Sequence, residues 1–155
     1  MTAPRPGLEP LAHVEAGLGE PLDVGVTPHG HRRVVPIIGG TVAGTRFTGE
    51  ILPGGADWQI IQPDGWVRIE ARYTARARDG TLVSIVSRGV RHGPPEVMSA
   101  LLAGESPDPA AYRFRTAVSF ETAEDGPLSW LNHLIAVSSA IRAPAAVLLD
   151  LYEVT

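Results

Sequence analysis

The sequence predicts an all-β protein, an antiparallel β-barrel of about eight to ten strands with one short helix. Most segments are short, rich in β-branched residues, and alternate between apolar and polar side chains. Glycine-containing turns separate these segments at regular spacing, and only one segment has helical spacing of its apolar residues. This pattern fits a barrel or a sandwich, and barrel closure is favoured because it removes exposed sheet edges.

The strands follow a flexible, Pro-containing tail at residues 1–8, and residues 9–155 form a single β-barrel domain. A loop is expected at residues 19–30, after the first apolar segment. Strands are predicted at residues 32–38, 45–52, 57–62, 66–76, 81–90, 112–120, 130–138 and 145–154, which makes eight or nine strands in all, depending on the apolar segment at residues 11–18.

Turn-forming Gly, Pro and Asp residues separate these strands. Gly39-Gly40 is expected to form a turn, and Pro53-Gly54-Gly55 ends a strand. In Pro63-Asp64-Gly65 the proline pre-sets φ and the glycine accepts a positive φ, while Asp79-Gly80 favours a two-residue hairpin. Residues 94–104 begin with two prolines, carry apolar residues at helical spacing and end at a glycine, so they predict the helix.

Composition limits the classes of partner. No apolar run approaches the length of a membrane span, and the N-terminus lacks the layout of a secretion signal, so we expect a cytoplasmic protein without a membrane partner. A formal net charge of −4 provides no basic footprint for nucleic acid. Arginines inside a site are still able to bind an anionic ligand, and a homo-oligomer stays an open alternative.

Two residue types are missing, and their absence removes whole mechanisms. The chain has no Cys, and all 13 of its basic Lys+Arg residues are Arg. Thiolate nucleophiles, disulfides, Schiff bases and a phosphate-loop lysine are therefore excluded. Any catalysis must use carboxylates, His, Tyr, Ser or Arg.

Several blocks of the sequence, in this order, carry a resemblance to a known family. They are residues 33–40 (RVVPIIGG), 52–58 (LPGGADW), 71–74 (ARYT), 79–80 (DG), 88–91 (RGVR), 114–116 (FRT) and 130–132 (WLN). The chain resembles, over nearly its whole length, the bacterial and fungal family called domain of unknown function 3237. One departure is Ser87, where that family often has Asn before its Arg-Gly element.

The resemblance implies a small barrel with a central cavity, similar in outline to allene oxide cyclase and dirigent barrels. It also implies a cofactor-independent isomerase or cyclase of natural-product biosynthesis, acting on a small hydrophobic or aromatic oxygenated metabolite. No cofactor and no metal are expected.

Charged residues alternate with apolar ones on the predicted strand at residues 66–76. Glu70 and Arg72 fall on one face of it, and Asp57 lies on the preceding strand. Such alternation usually places the charges in water, whereas a ligand-binding barrel needs a few polar groups in its lumen. The resemblance favours the lumen, which makes these three residues the candidate catalytic set.

The chemistry expected of this set is proton transfer. Asp57 or Glu70 would be the acid/base, with a raised pKa, and Arg72 would stabilise a developing enolate or phenolate. Arg suits that role because it stays protonated and offers a planar fork of donors.

Further candidates are assigned to substrate binding, each with a structural alternative. The aromatic residues could stack on a planar substrate or fill the core, Arg88 and Arg115 could bind an oxyanion or pair with Glu121 or Asp150, and Asn132 could orient a carbonyl or cap a turn. The full candidate set is Trp58, Tyr73, Arg88, His92, Tyr112, Arg115, Trp130 and Asn132.

The His residues do not show a metal-binding pattern. His29 and His31 lie in a glycine-containing loop, and His92 and His133 lack the spacing that metal-binding cupins display. His92 is kept as a residue at the edge of a site. Two functions stay open, the isomerase or cyclase and a binding barrel that carries a metabolite unchanged, besides an assembly module with a filled core.

Overall fold

A computed structural model describes residues 1–155, and it confirms the all-β barrel. Eight antiparallel strands close the barrel, and two further strands lie outside this ring. The strands are β1 (Leu8–Leu18), β2 (Leu22–Thr27), β3 (Gly30–Ala43), β4 (Thr48–Ile51), β5 (Gly55–Ile61), β6 (Val67–Ala77), β7 (Leu82–His92), β8 (Arg113–Glu121), β9 (Ala136–Arg142) and β10 (Ala146–Val154).

The barrel closes because β1 pairs with strands on both of its sides. It lies antiparallel to β10 along one edge and to β3 along the other. From β10 the sheet continues through β9, β8, β7 and β6, and β4 and β5 both lie between β6 and β3. Each strand of the ring therefore has one face toward a common interior.

The single helix α1 (Pro95–Leu102) matches the predicted segment and follows β7. Pro95 occupies its first turn, where the missing N–H costs no intrahelical bond. Met98 and Leu101 are buried in the main hydrophobic core. The helix thus covers part of the core with its apolar side. It is too short to cross a membrane, and no other α-helix occurs.

Three details differ from the sequence-based prediction. The expected loop at residues 19–30 contains the outer strand β2, which pairs only with β3. The segment predicted as a strand at residues 130–138 begins as a short 3-10 helix, Ser129–His133, before β9 starts. At the N-terminus, β1 begins at Leu8, and Gly7 exchanges backbone hydrogen bonds of 2.9 and 3.1 Å with Thr155.

The expected turn at Gly39-Gly40 is also wrong, because β3 runs through both glycines without reversing. Their φ angles are +155° and +142°, values that residues with a Cβ rarely adopt. A Cβ on Gly40 would lie 2.0 Å from the backbone oxygen of Glu15 on β1. These glycines let β1 and β3 approach at the seam that closes the barrel.

This close approach predicts a large effect of Gly40→Ala. The new Cβ must displace the backbone of β1 and also hold a strained φ, so we expect a loss of about 2–4 kcal/mol in unfolding free energy. Gly17→Ala is the matched control, since its Cβ would meet nothing nearer than 3.5 Å. Urea unfolding of both variants measures the difference, and equal stability would contradict this role of Gly40.

Candidate functional site

The interior of the barrel holds a small, mostly apolar cavity, called here the inner cavity. The space open to the centre of a water molecule is about 30 Å³, enough for about one water. Ten of its 14 lining residues are hydrophobic. The other four are Asp57, Gln59, Ser87 and Thr116.

Asp57 is the one carboxylate of this cavity, and it is only 8% exposed. Gln59 Nε2 donates to its Oδ2 at 2.8 Å, and the backbone N–H of Glu70 donates to its Oδ1 at 3.0 Å. The β5–β6 ladder pairs Asp57 with Ala71 but leaves Glu70 unpaired with β5. The Asp57 carboxylate therefore accepts the hydrogen bond from Glu70 N–H that a backbone carbonyl of β5 would accept in a regular ladder. This bond helps to hold the carboxylate in one orientation.

Burial raises the pKa of the Asp57 carboxyl above its ordinary value of 3.8. The two hydrogen bonds and the positive charges of Arg91 and Arg142 lower the pKa, but by less than desolvation raises it. A carboxyl with a raised pKa is better matched to proton transfer near neutral pH than an exposed one.

Arg91 is a buried cation without a partner. It is 2% exposed, forms no salt bridge, and its Nε and Nη1 atoms are buried without a hydrogen-bond partner. Its guanidinium carbon lies 5.5 Å from the centroid of the Phe114 ring. Desolvation, followed by repulsion from Arg142, lowers the pKa of Arg91 to about 10, so it stays charged at neutral pH. Buried donors of this kind are rarely left unpaired, which points to a ligand.

Arg91 lines a larger opening at one end of the barrel, called here the arginine recess. Water-sized spheres can occupy about 500 Å³ of it, within the range of small-molecule sites. Arg33 of β3 and Arg142 of β9 line the same recess, beside residues 101–104 at the end of α1. Val35 and Gln59 line both the recess and the inner cavity, so the two spaces adjoin at these residues, and Asp57 lines the inner cavity alone.

A chain of buried hydroxyl groups crosses the opposite wall of the barrel. Ser87 Oγ donates to Thr116 Oγ1 at 2.7 Å, and Thr116 Oγ1 lies 2.6 Å from Ser138 Oγ. These groups satisfy one another across β7, β8 and β9. The Ser87 that departs from the family pattern thus has a structural partner.

Comparison with known protein families identifies the family of this chain. The family model described as a protein of unknown function, DUF3237, matches residues 6–154. The chain belongs to the DUF3237 family. The resemblance noted in the sequence is thereby confirmed.

Relatives and solved structures resemble this chain over about four fifths of its length or more. A UPF0311 protein from Clostridium acetobutylicum is 43% identical over 126 residues, covering 81% of this chain and 79% of the relative. The crystal structure of a conserved protein of unknown function from Rhodopseudomonas palustris has a TM-score of 0.92 at 35% identity, covering 99% and 100% of the two chains.

A more distant structural neighbour is described as an enzyme from Penicillium herquei. Its TM-score is 0.73 at 20% identity, with 100% of this chain and 99% of that chain covered. At this identity the likeness shows the shared fold alone. The DUF3237 fold is thus found in at least one protein described as an enzyme.

Of the three predicted catalytic residues, only Asp57 faces the interior. Glu70 and Arg72 lie on the outer face of β6, joined by a salt bridge of 3.2 Å, and Arg88 of β7 lies 3.5 Å from the same Glu70 oxygen. The Arg72 hydrogen bond lowers the pKa of Glu70, which is the direction opposite to that expected of an acid/base. The expected inward orientation of this pair is wrong, because Val67, Ile69 and other apolar residues of β6 occupy the interior.

The four aromatic candidates divide between inside and outside. Tyr73 lines the inner cavity, its hydroxyl has no partner, and burial raises its pKa. Tyr112 is buried, and its hydroxyl accepts the backbone N–H of Arg142 at 2.9 Å. Trp58 is 38% exposed on the outer face of β5, and Trp130 lies under Arg46 at 3.8 Å. Only the two tyrosines lie on the side of the candidate site.

The remaining polar candidates lie away from the recess. Arg115 donates from Nη1 to the backbone oxygen of Phe114 at 2.9 Å, and His92 is exposed at the end of β7. Asn132 bonds both the N–H and the oxygen of Thr122, at 2.8 and 3.0 Å, and so holds a loop. The structure therefore does not bring these residues together with Asp57.

Sequence reasoning missed the cations of the site, although strand alternation carried the signal. Arg91 falls on the same face of β7 as Val83 and Ile85, which are buried. Arg142 likewise follows Ala140 on β9. Each arginine continues an inward-facing row of side chains at the end of its strand, whereas the predicted catalytic residues Glu70 and Arg72 lie in the charge-rich middle of β6.

The raised pKa of Asp57 predicts a pH-dependent stability difference for Asp57→Asn. A carboxyl whose folded pKa is raised contributes stability below its unfolded pKa, and this stability is lost as pH rises through the folded pKa. The Asn variant avoids that loss, so its melting temperature relative to wild type should rise from pH 4 to pH 8. Thermal melts across this range test it.

Glu121→Gln serves as the control, because this exposed residue on β8 resembles Asp57 only in charge. A pH-independent difference for Asp57→Asn would show that the Asp57 pKa is not raised.

Proposed function

We propose that this protein is a cofactor-independent isomerase or cyclase that moves a proton within a small oxygenated metabolite. The observation that carries the proposal is the placement of Asp57 and Arg91 in two adjoining spaces. Asp57, whose pKa is raised, lines the inner cavity, and Arg91, which has unpaired donors, lines the recess that shares Val35 and Gln59 with that cavity. An acid/base together with an oxyanion-binding cation is the minimum set for enolate or phenolate chemistry.

In this mechanism the substrate occupies the arginine recess, which is large enough for it, rather than the inner cavity. Asp57 lines the inner cavity rather than the recess, so it reaches the substrate beside Gln59 through one water, for which the inner cavity has room. The carboxylate takes a proton from one atom of the substrate and returns it to another. Because the proton is only relocated, the reaction consumes no oxidant and no reductant.

Arg91 stabilises the negative charge that forms on the substrate oxygen. Its buried Nε–H and Nη1–H donors have no partner to give up, so binding an oxyanion satisfies them. Low exposure to water strengthens this interaction relative to one at the surface. The outer pair of Glu70 and Arg72 has no part in this scheme.

A binding barrel that carries a metabolite unchanged is the second candidate function. It is favoured by the mostly apolar lining of the inner cavity and by the position of Arg33 and Arg142 in the recess. The two functions differ in one prediction: a carrier binds the ligand in the recess without accelerating its reaction.

The cyclisation of 2′-hydroxychalcone to flavanone is a suitable probe reaction, followed by the loss of chalcone absorbance. Its phenol oxygen forms the new C–O bond, and the phenolic proton is transferred to the α-carbon. We expect wild type to accelerate the reaction over buffer. Asp57→Asn should lower kcat/KM about 100-fold or more through loss of the base, and Arg91→Gln about 100-fold through loss of an oxyanion donor.

Arg72→Gln is the matched control, since Arg72 lies on the adjacent strand but on the outer face. Its kcat/KM should stay within about twofold of wild type, as expected for an exposed ion pair. Wild-type rates in Asp57→Asn would refute the assignment of Asp57. Binding of the chalcone without acceleration would favour the carrier.

A further inference from the structure

The arginine recess carries more positive charge than proton transfer to and from one oxygen requires. Arg33, Arg91 and Arg142 line it together, and the repulsion among them lowers the pKa of both Arg91 and Arg142, after desolvation. Asp57 is the one buried carboxylate nearby, and its two oxygens already accept hydrogen bonds from Gln59 and Glu70. The deep part of the recess therefore has three arginines and one nearby carboxyl group.

The acidic residues of the recess lie at its rim. Asp23 lies in the lining, where it is bound by His31 Nε2 at 2.6 Å and by the backbone N–H of Gly25 at 2.8 Å, and the positive charge of Arg33 helps these bonds to lower its pKa. Glu20 also lines the rim, yet it forms no salt bridge with any of the three arginines. The recess is thus positive toward its depth and acidic only at its outer edge.

The three arginines also differ in depth. Arg91 is almost fully buried, whereas Arg33 and Arg142 are partly exposed. The one side-chain hydrogen bond of Arg142 runs from Nη1 to the backbone oxygen of Ala146 and is long, at 3.4 Å. The donors of the outer two arginines are therefore available to a group that lies nearer to solvent than the oxygen at Arg91.

We infer that the substrate class is a hydrophobic hydroxy or oxo acid, whose carboxylate is held by Arg33 and Arg142 while its reacting oxygen binds Arg91. This inference rests on the proposed function, because it assigns the substrate of the same site. A planar carboxylate matches the forked donors of arginine, and the apolar part of the acid lies against Val35, Leu101 and Leu102 of the recess.

Salicylate is a direct probe, because it joins a carboxylate and a phenol oxygen on one apolar ring. Salicylamide is the matched neutral probe, which keeps the ring and the hydroxyl but lacks the charge. Calorimetry on wild type at low salt should show salicylate binding at least tenfold more tightly than salicylamide. Equal affinities, or no binding of salicylate, would overturn the inference without any variant.

Two variants locate the carboxylate. Arg33→Gln and Arg142→Gln should each weaken salicylate binding about tenfold or more and leave salicylamide affinity within about twofold. Arg115→Gln is the control, since Arg115 lies on the outer face of β8. Unchanged salicylate affinity in both recess variants, or an equal loss in Arg115→Gln, would overturn the assignment.

The binding and rate measurements together distinguish failure of this inference from failure of the proposed function. Asp57→Asn should keep salicylate binding, because Asp57 does not hold the carboxylate. If salicylate fails to bind while chalcone cyclisation depends on Asp57, the inference alone fails. If salicylate binds through Arg33 and Arg142 while Asp57→Asn reacts like wild type, the proposed catalysis alone fails.

Discussion

Asp57 and Arg91 are an acidic and a basic group buried in one barrel without forming a salt bridge, and the candidate site depends on this separation. A direct ion pair would satisfy both groups and leave neither free for a ligand. Here the Asp57 oxygens are held by the Gln59 amide and the Glu70 N–H, while Arg91 keeps unpaired donors. Burial of these two groups costs free energy, which the packing of the closed barrel offsets.

The closed ring of strands separates the ion pairs on its outer face from the ionisable groups buried in its interior. Outside, Glu70 lies between Arg72 and Arg88, and Glu50 pairs with Arg76, in water, where such pairs contribute little to stability. Inside, water is excluded, so a single carboxylate or guanidinium has a shifted pKa and a strong field. The same residue types thus have different roles on the two faces of one sheet.

The inner cavity and the arginine recess differ in size and in the polarity of their lining. The inner cavity is nearly filled and apolar, which keeps Asp57 desolvated but leaves room for about one water. The recess is wide and cationic, which suits recognition of an anion. In the proposed function, binding and proton transfer act on one molecule where the two spaces adjoin, at Val35 and Gln59.

The sequence by itself determined the strand-rich fold, the helix at residues 94–104 and the family, because turn residues, local periodicity and motif order are properties of nearby residues. It did not reveal that Gly39 and Gly40 lie inside a strand, because the reason is a contact with the distant Glu15. Only the tertiary structure decided which face of each strand points inward. That choice places Glu70 and Arg72 in water and gathers Arg33, Arg91 and Arg142 at one end, since barrel closure joins strands far apart in the chain.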